Sequence, residues 1–329
     1  MHNFYLDVKD IDPKLFDFYE RRYDVLDFKL LNYTDFFYLG SVEHKVCRFC
    51  GKGEPEVAFE KIAHALPEST GNHFLVSYYE CDKCNKLFAR QLESEYANFF
   101  NFYHNATNIS GKKGVPIYQS KGGKSKAIWK SVDGSDKIFV MNDTTDDITT
   151  TFNAETKKLI RTGTIPSYIP IAVFKCFVKM AISIMPEAEI NNFVRTISWI
   201  MEKRHVNFYS DEKKLLVRYK MIPGFNVTKY PCCILYKRKP NIWQGPYLLF
   251  SLTYGCFSYL IEVPTLKDAS YHHIMNVPFP PLPFKTSSED IFDLTSCERK
   301  KTATQSIEYE FDDISEITEQ MKDVTPELL

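Results

Sequence analysis

Four of the nine cysteines stand in two pairs that have the spacing of metal ligands. Cys47 and Cys50 form one Cys-x-x-Cys pair, and Cys81 and Cys84 form a second pair after thirty intervening residues. Two such pairs in one short segment are typical of a tetrahedral zinc site made of four thiolates. Because four protein ligands leave no open coordination position, the pattern predicts a structural zinc ion that is not itself catalytic.

The segment between the two pairs contains side chains that suit acid–base chemistry. His64 is followed after two residues by Pro67 and then by Gly71-Asn72, and Asn85 directly follows the second pair. An imidazole titrates near neutral pH and can take a proton from water. Side-chain oxygens are the ligands that hard divalent cations prefer. Residues of these types would suit a hydrolytic site beside the zinc ion.

The order and spacing of these features resemble the HNH endonuclease superfamily in its zinc-bound treble-clef form. They are similar in particular to HNH proteins among bacterial antiphage effectors, including those of cyclic-oligonucleotide (CBASS) systems. The resemblance covers about residues 46–104. It implies a ββα-metal nuclease module with His64 as general base and Asn85 as metal ligand or orienting residue. It also implies Mg²⁺ or Mn²⁺ on the scissile phosphate of DNA.

Two positions depart from the pattern of the superfamily. Ala63 precedes His64 where many relatives have a metal-binding acidic residue, and the middle asparagine of the family falls on Val76. The missing roles are predicted to pass to nearby side chains, namely Asn72, His73, Glu80 and Glu93. Asn72 and Glu80 are thus further catalytic candidates, and Asn85, Glu80 and Glu93 are the candidate ligands of the catalytic ion.

The residues alone leave a second hypothesis open. A segment with four zinc-binding cysteines also fits a non-catalytic zinc ribbon that binds nucleic acid or protein. In that case His64 is a surface residue, and Asn85 caps the helix that follows it, a role that asparagine fills well. DNA cleavage that requires a divalent cation and His64 distinguishes the two hypotheses.

Lysines are concentrated on a glycine-rich segment just after the cysteine segment. Such side chains can follow DNA phosphates, although an ordinary solvated loop has the same composition. We take five of them as candidate DNA contacts: Lys112, Lys113, Lys121, Lys124 and Lys126.

Hydrophobic patterning predicts an α+β protein with the nuclease module towards its N-terminus. Residues 1–45 are expected to form a helical segment that packs on the module at 46–110. Residues 111–285 are expected to form a mixed α/β domain of unassigned fold, with hairpin-like alternation at 138–162, helical periodicity at 166–203 and apolar β-type runs at 215–264. That domain is a candidate for regulation, sensing or oligomerisation. Residues 286–329 are expected to be an acidic tail that is either loosely ordered or forms a short helix at 314–321.

Composition and charge limit the class of protein and its candidate partners. With 44% hydrophobic and 25% charged residues the chain can form large cores, so a disordered protein is excluded. The net charge of −1 combines an acidic stretch at 286–329 with a basic remainder, which favours a polyanionic partner such as DNA. We expect a cytoplasmic protein without a signal peptide or membrane contact. A nucleotide second messenger, a partner protein or a second copy of the chain are further candidate partners.

Overall fold

The computed structural model describes residues 12–120, 123, 125–141, 148–153, 155–209, 213–224, 226–242, 244–268, 274–301 and 303–310. The helices are α1 (Pro13–Arg22), α2 (Asp82–Phe88), α3 (Ser94–Ala106), α4 (Pro170–Ile184), α5 (Glu187–Ile190) and α6 (Val194–Met201). A π-helical turn, Ala89–Glu93, joins α2 to α3. Asp12 caps α1 by accepting a hydrogen bond from the backbone N–H of Lys14, and Pro13 occupies the first helical position.

The strands in the first half of the chain are β1 (Tyr23–Leu30), β2 (Phe37–Leu39), β3 (Leu75–Ser77), β4 (Tyr118–Gln119), β5 (Lys126–Val132), β6 (Ser135–Met141), β7 (Ile148–Asn153) and β8 (Lys158–Ile165). Those in the second half are β9 (Leu216–Met221), β10 (Thr228–Arg238), β11 (Leu248–Gly255), β12 (Phe257–Glu262), β13 (Asp290–Asp293) and β14 (Ala303–Glu310). The predicted α+β class is confirmed, and the part after the cysteine segment is rich in sheet.

The largest sheet has six strands in the order β1-β10-β11-β12-β9-β13, and all its neighbours are antiparallel. Strands β11 and β12 are buried along their whole length. Both strands consist mainly of apolar residues, because both faces of the sheet are covered there. Two smaller sheets, β14-β8-β7 and β4-β5-β6, are also antiparallel.

Helix α4 lies in the centre of the core, and every one of its fifteen residues is buried. The ring of Phe177 packs against Tyr96 and Phe100 of α3 and against Tyr259 of β12. At the C-terminal end of α4 the guanidinium of Arg48 donates hydrogen bonds to the carbonyl oxygens of Ile182, Ser183 and Met185. Arg48 lies within the first cysteine pair, so α4 joins the sheet to the cysteine segment.

The N-terminal segment is divided between two parts of the fold. Strand β1 pairs with β10 at the edge of the six-stranded sheet, whereas β2 pairs with β3 inside the cysteine segment. A helical segment that packs on the nuclease module was expected, but among the described residues before 46 only Pro13–Arg22 is helical, and β1 joins the six-stranded sheet. The sequence of β1 gave no indication of this partner, because pairing with a strand far along the chain has no local sequence signal.

Residues 290–310, predicted as part of an acidic tail, contribute two strands instead. Strand β13 pairs with β9, where the hydroxyl of Tyr219 donates a hydrogen bond to Asp290, and β14 pairs with β8. Acidic composition misled the prediction because these strands expose their charged side chains at sheet edges. The helix considered for 314–321 lies outside the described residues. Among the described helices, none combines the length and the apolar character that crossing a bilayer requires.

Candidate functional site

The four cysteine sulfurs converge on one point. All four Sγ atoms lie within 4.8 Å of one another, and those of Cys50 and Cys81 are 3.8 Å apart. A tetrahedral zinc ion with Zn–S bonds of about 2.3 Å holds its sulfurs about 3.8 Å apart, so the donor set fits zinc. The pKa of Cys47 is lowered, because its sulfur accepts hydrogen bonds from the Cys84 thiol and from backbone N–H groups. Burial raises the pKa of Cys81, and the hydrogen bond with Cys47 together with burial raises the pKa of Cys84. Thiolate is the form that binds zinc.

A short hairpin carries His64 beside this cluster. His64 pairs with Val76 in an antiparallel bridge, flanked by hydrogen bonds from Ala65 N to Leu75 O and from Ser77 N to Ala63 O. Helix α2 starts one residue after Cys81, and the carboxylate of Asp82 accepts hydrogen bonds from the backbone N–H groups of Glu60 and Lys61. Cysteine pair, hairpin and helix therefore follow one another in ββα order.

The His64 imidazole is partly exposed and has charged side chains around it. Its side chain is 19% exposed, and Nε2 is 3.8 Å from a carboxylate oxygen of Glu68. Among the described residues nothing hydrogen-bonds to Nδ1. Burial lowers the pKa of His64, Lys112 and Lys179 lower it further, and Glu68 and Glu93 oppose the shift. The imidazole is therefore neutral at pH 7, which is the form that accepts a proton.

The side-chain amide of Asn72 forms hydrogen bonds with the backbone of the hairpin. Its Nδ2 donates to the carbonyl oxygens of Leu66 and Leu75, and its Oδ1 accepts from the N–H of Leu75, each over 2.9 Å. The residue is only 1% exposed. These hydrogen bonds fix the conformation of the loop after His64. We therefore expect Asn72 to position this loop and not to have the catalytic role that was considered from the sequence.

Asn85 lies on α2, half-buried, against the strand that leads into His64. Its Nδ2 is 3.4 Å from the carbonyl oxygen of Ile62, two residues before the histidine. The helix begins at Asp82, so Asn85 is inside it, and the alternative that Asn85 caps the helix is wrong. The contact with Ile62 places Asn85 beside the segment that leads into His64, and the metal-ligand or orienting role of Asn85 stays a prediction.

Glu80 and Glu93, the two other carboxylate candidates, both contact the same lysine, Lys179. Glu80, 1% exposed in its side chain, forms an ion pair of 3.1 Å with Nζ of Lys179, and Glu93 lies 3.5 Å from the same nitrogen. Burial raises the pKa of Glu80 to about 7 despite the opposing effect of Lys179. Burial lowers the pKa of Lys179, but Glu80 and Glu93 outweigh it and raise the pKa overall. The carboxylate of Glu80 is buried against a cation of the protein, which argues against a role as metal ligand, whereas the side chain of Glu93 is 26% exposed and stays a candidate.

A tight turn presents two of the candidate DNA-binding lysines next to this site. Gly111 and Gly114 exchange backbone hydrogen bonds of 3.0 and 3.1 Å, and Lys112 and Lys113 form the exposed tip. A Cβ on Gly111 would lie 3.2 Å from Cα of Ser69, so the turn approaches the 3-10 helix Glu68–Thr70 closely.

Lys112 Nζ lies 3.1 Å from a carboxylate oxygen of Glu68, the residue that faces His64. Lys126 is half-buried on β5. Lys121 and Lys124 lie outside the described residues. The turn at 111–114 is therefore the part of the predicted lysine surface that lies nearest to His64 among the described residues.

Sequence reasoning missed Glu68 and Lys179. Glu68 is brought back to His64 because the chain turns into a 3-10 helix after Pro67, and its spacing of four residues was the available signal. Lys179 interrupts an apolar helix that is otherwise suited to a core, and a charge in such a place signals a buried partner. Only the structure reveals that the partner belongs to the cysteine segment.

Comparison with known proteins gives one match. Residues 47–101 match the model of a family described as HNH endonuclease. No curated protein and no solved structure matches the chain. The matched range begins at the first zinc-binding cysteine and includes His64, Asn85 and the start of α3. Residues 47–101 are therefore similar to HNH endonuclease domains, and this similarity suggests nuclease activity.

Proposed function

We propose that the protein is a metal-dependent endonuclease that hydrolyses phosphodiester bonds of DNA through its HNH module. The observation that supports this most is the coincidence of the family match at 47–101 with a four-thiolate cluster and a neutral, partly exposed His64. A bound Mg²⁺ or Mn²⁺ ion would neutralise the charge that develops on the phosphate. Asn85 and Glu93 are the side chains that we propose to hold it.

In this proposal His64 acts as the general base. Its imidazole takes a proton from a water molecule, the water oxygen bonds to phosphorus, and the bond from phosphorus to the leaving oxygen breaks. A proton from solvent neutralises the leaving oxygen. Glu68, 3.8 Å from Nε2, stabilises the imidazolium that forms. The hairpin holds the base in place, and a fixed position of the reacting groups lowers the barrier.

The experiment that tests the proposal is a cleavage assay on supercoiled plasmid and linear duplex DNA. We expect nicked or linear products with Mg²⁺ or Mn²⁺ and none after addition of EDTA, at a constant zinc content. DNA binding without cleavage under all these conditions, and also after addition of proteins encoded beside it, would favour the non-catalytic zinc ribbon instead.

The lysine turn gives a prediction about DNA affinity. Replacing Lys112 and Lys113 together by alanine is expected to weaken binding for every DNA sequence alike, because these lysines would contact phosphates. Two lost contacts should reduce the slope of log K against log salt by about 2. Fluorescence anisotropy over a salt series measures both effects. The exposed pair Lys300 and Lys301, changed in the same way, is the matched control, and an equal effect there contradicts a specific role of the turn.

We further propose that the sheet-rich part controls the nuclease module. The proposal rests on the size of that part and on the contacts of α4 with the cysteine segment. A nucleotide second messenger, a partner protein or self-association would provide the signal. A role in antiphage defence is an expectation from the resemblance alone, and a cytoplasmic location also stays an expectation. Thermal shift assays with cyclic oligonucleotides test the first signal, and no shift with any of them would contradict it.

A further inference from the structure

Helix α4 contains two buried lysines one turn apart, and they have different partners. Lys175 is fully buried and donates a hydrogen bond to the carbonyl oxygen of Glu202 over 3.3 Å, with its ammonium above the ring of Trp199. Lys179 is 1% exposed and extends instead into the cysteine segment. Buried lysines are costly and are found where they have specific partners. Specific partners of Lys179 are therefore expected in the cysteine segment.

The ammonium of Lys179 joins three parts of the nuclease module. It donates a hydrogen bond of 3.0 Å to the carbonyl oxygen of His64, lies 3.1 Å from the carboxylate of Glu80 and lies 3.5 Å from that of Glu93. The contacts with His64 and Glu93 are hydrogen bonds, and the contact with Glu80 is an ion pair. They connect the hairpin, the residue before the second cysteine pair and the π-helical turn after α2.

The contact with His64 satisfies a carbonyl oxygen that the hairpin leaves unused. The hydrogen bonds of this hairpin are formed by Ala63 with Ser77 and by Ala65 with Leu75. His64 and Val76 are therefore a non-hydrogen-bonded pair, in which the backbone groups point away from the partner strand. A buried carbonyl oxygen without a donor is costly. Lys179 supplies the donor, so it fixes the backbone that carries the imidazole.

We propose that Lys179 is a positioning residue of the nuclease site, through which helix α4 holds the backbone of His64 in its working orientation. The inference rests on the proposed function and deepens it. Arg48 docks the end of the same helix to the first cysteine pair. The catalytic geometry is therefore completed by a helix that lies outside the matched segment 47–101.

The test compares Lys179→Met, Lys179→Arg and the matched control Lys175→Met, each with its zinc content and melting temperature measured. For cleavage of duplex DNA with Mn²⁺ we expect Lys179→Met to lower kcat about 100-fold with KM unchanged, because a displacement of about 1 Å at a reacting group costs that much. Lys179→Arg should restore part of kcat, since it keeps a donor and a charge. Lys175→Met should keep the kcat of the wild type.

A second variant separates positioning from stability. Lys179→Met leaves Glu80 buried without its cation, so the double variant Glu80→Gln/Lys179→Met removes both charges. We expect it to regain zinc content and melting temperature while kcat stays low. Recovery of kcat together with stability, failure of the double variant to hold zinc, or an equal fall of kcat in Lys175→Met would overturn the inference. Absence of cleavage by the wild type would instead contradict the proposed function.

Discussion

His64→Ala is expected to reduce the rate of DNA cleavage by about 100- to 10,000-fold, the usual contribution of a general base. The variant should keep its zinc and its fold, because the imidazole is partly exposed and the backbone of residue 64 makes the bridge to Val76 and the contact with Lys179. Single-turnover cleavage with saturating Mn²⁺ measures the loss. KM for DNA should change little, since phosphate contacts of other residues determine binding.

The control for this variant is His44→Ala. His44 is an exposed histidine three residues before the first zinc-binding cysteine, and its replacement should leave cleavage unchanged. Equal losses in the two variants would mean that histidines of this region contribute only to folding or solubility. A His64→Ala variant as active as the wild type would remove His64 from the mechanism and leave the role of base to another group.

Cys50→Ser is expected to weaken zinc binding by more than about 100-fold, beyond the 10- to 100-fold that changes outside the ligand set cost. Zinc bound to such sites contributes free energy of folding directly, and values of about 10–16 kcal/mol are known for zinc-finger peptides. Without the ion the hairpin and α2 lose their common anchor, so cleavage should disappear together with zinc. Metal analysis, limited proteolysis and the cleavage assay follow the three effects.

Cys232→Ser is the matched control for the zinc ligand. Cys232 is half-buried like Cys50, but it lies on β10 and outside the thiolate cluster. We expect this variant to keep one zinc ion and full activity. Normal zinc content in Cys50→Ser would show that the cluster is not a four-ligand site. Loss of zinc with unchanged cleavage would show that the hairpin holds its shape without metal.

The four-cysteine cluster could be predicted from the sequence because its signal is local. Each Cys-x-x-Cys pair has its two thiols on one turn, and the resemblance to HNH endonucleases implied the ββα order of hairpin and helix. Helix α4 was predicted for a similar reason, since its apolar residues recur at helical spacing. A structural feature that depends only on a residue and its neighbours along the chain can be predicted from the sequence in this way.

The surroundings of the site could not be predicted, because they depend on contacts between distant residues. Glu80 was considered as a metal ligand from its place beside Cys81, but its carboxylate is paired with Lys179, 99 positions later. Asn72 was considered because of its amide, and that amide is used by the backbone of its own hairpin. Which group a buried polar side chain faces follows from tertiary packing and not from its spacing along the chain.

The dependence of the single-turnover cleavage rate on pH, compared between the wild type and His64→Ala, tests the central claim most directly. A general base must be neutral, so the rate falls as the pH drops through its pKa. Burial and the cations of Lys112 and Lys179 lower the pKa of His64, and Glu68 and Glu93 oppose them only in part. The wild type should therefore show an acidic limb with its midpoint below 6.5, and His64→Ala should lack that limb. The same limb in both proteins, or a midpoint above 6.5 in the wild type, would contradict the account.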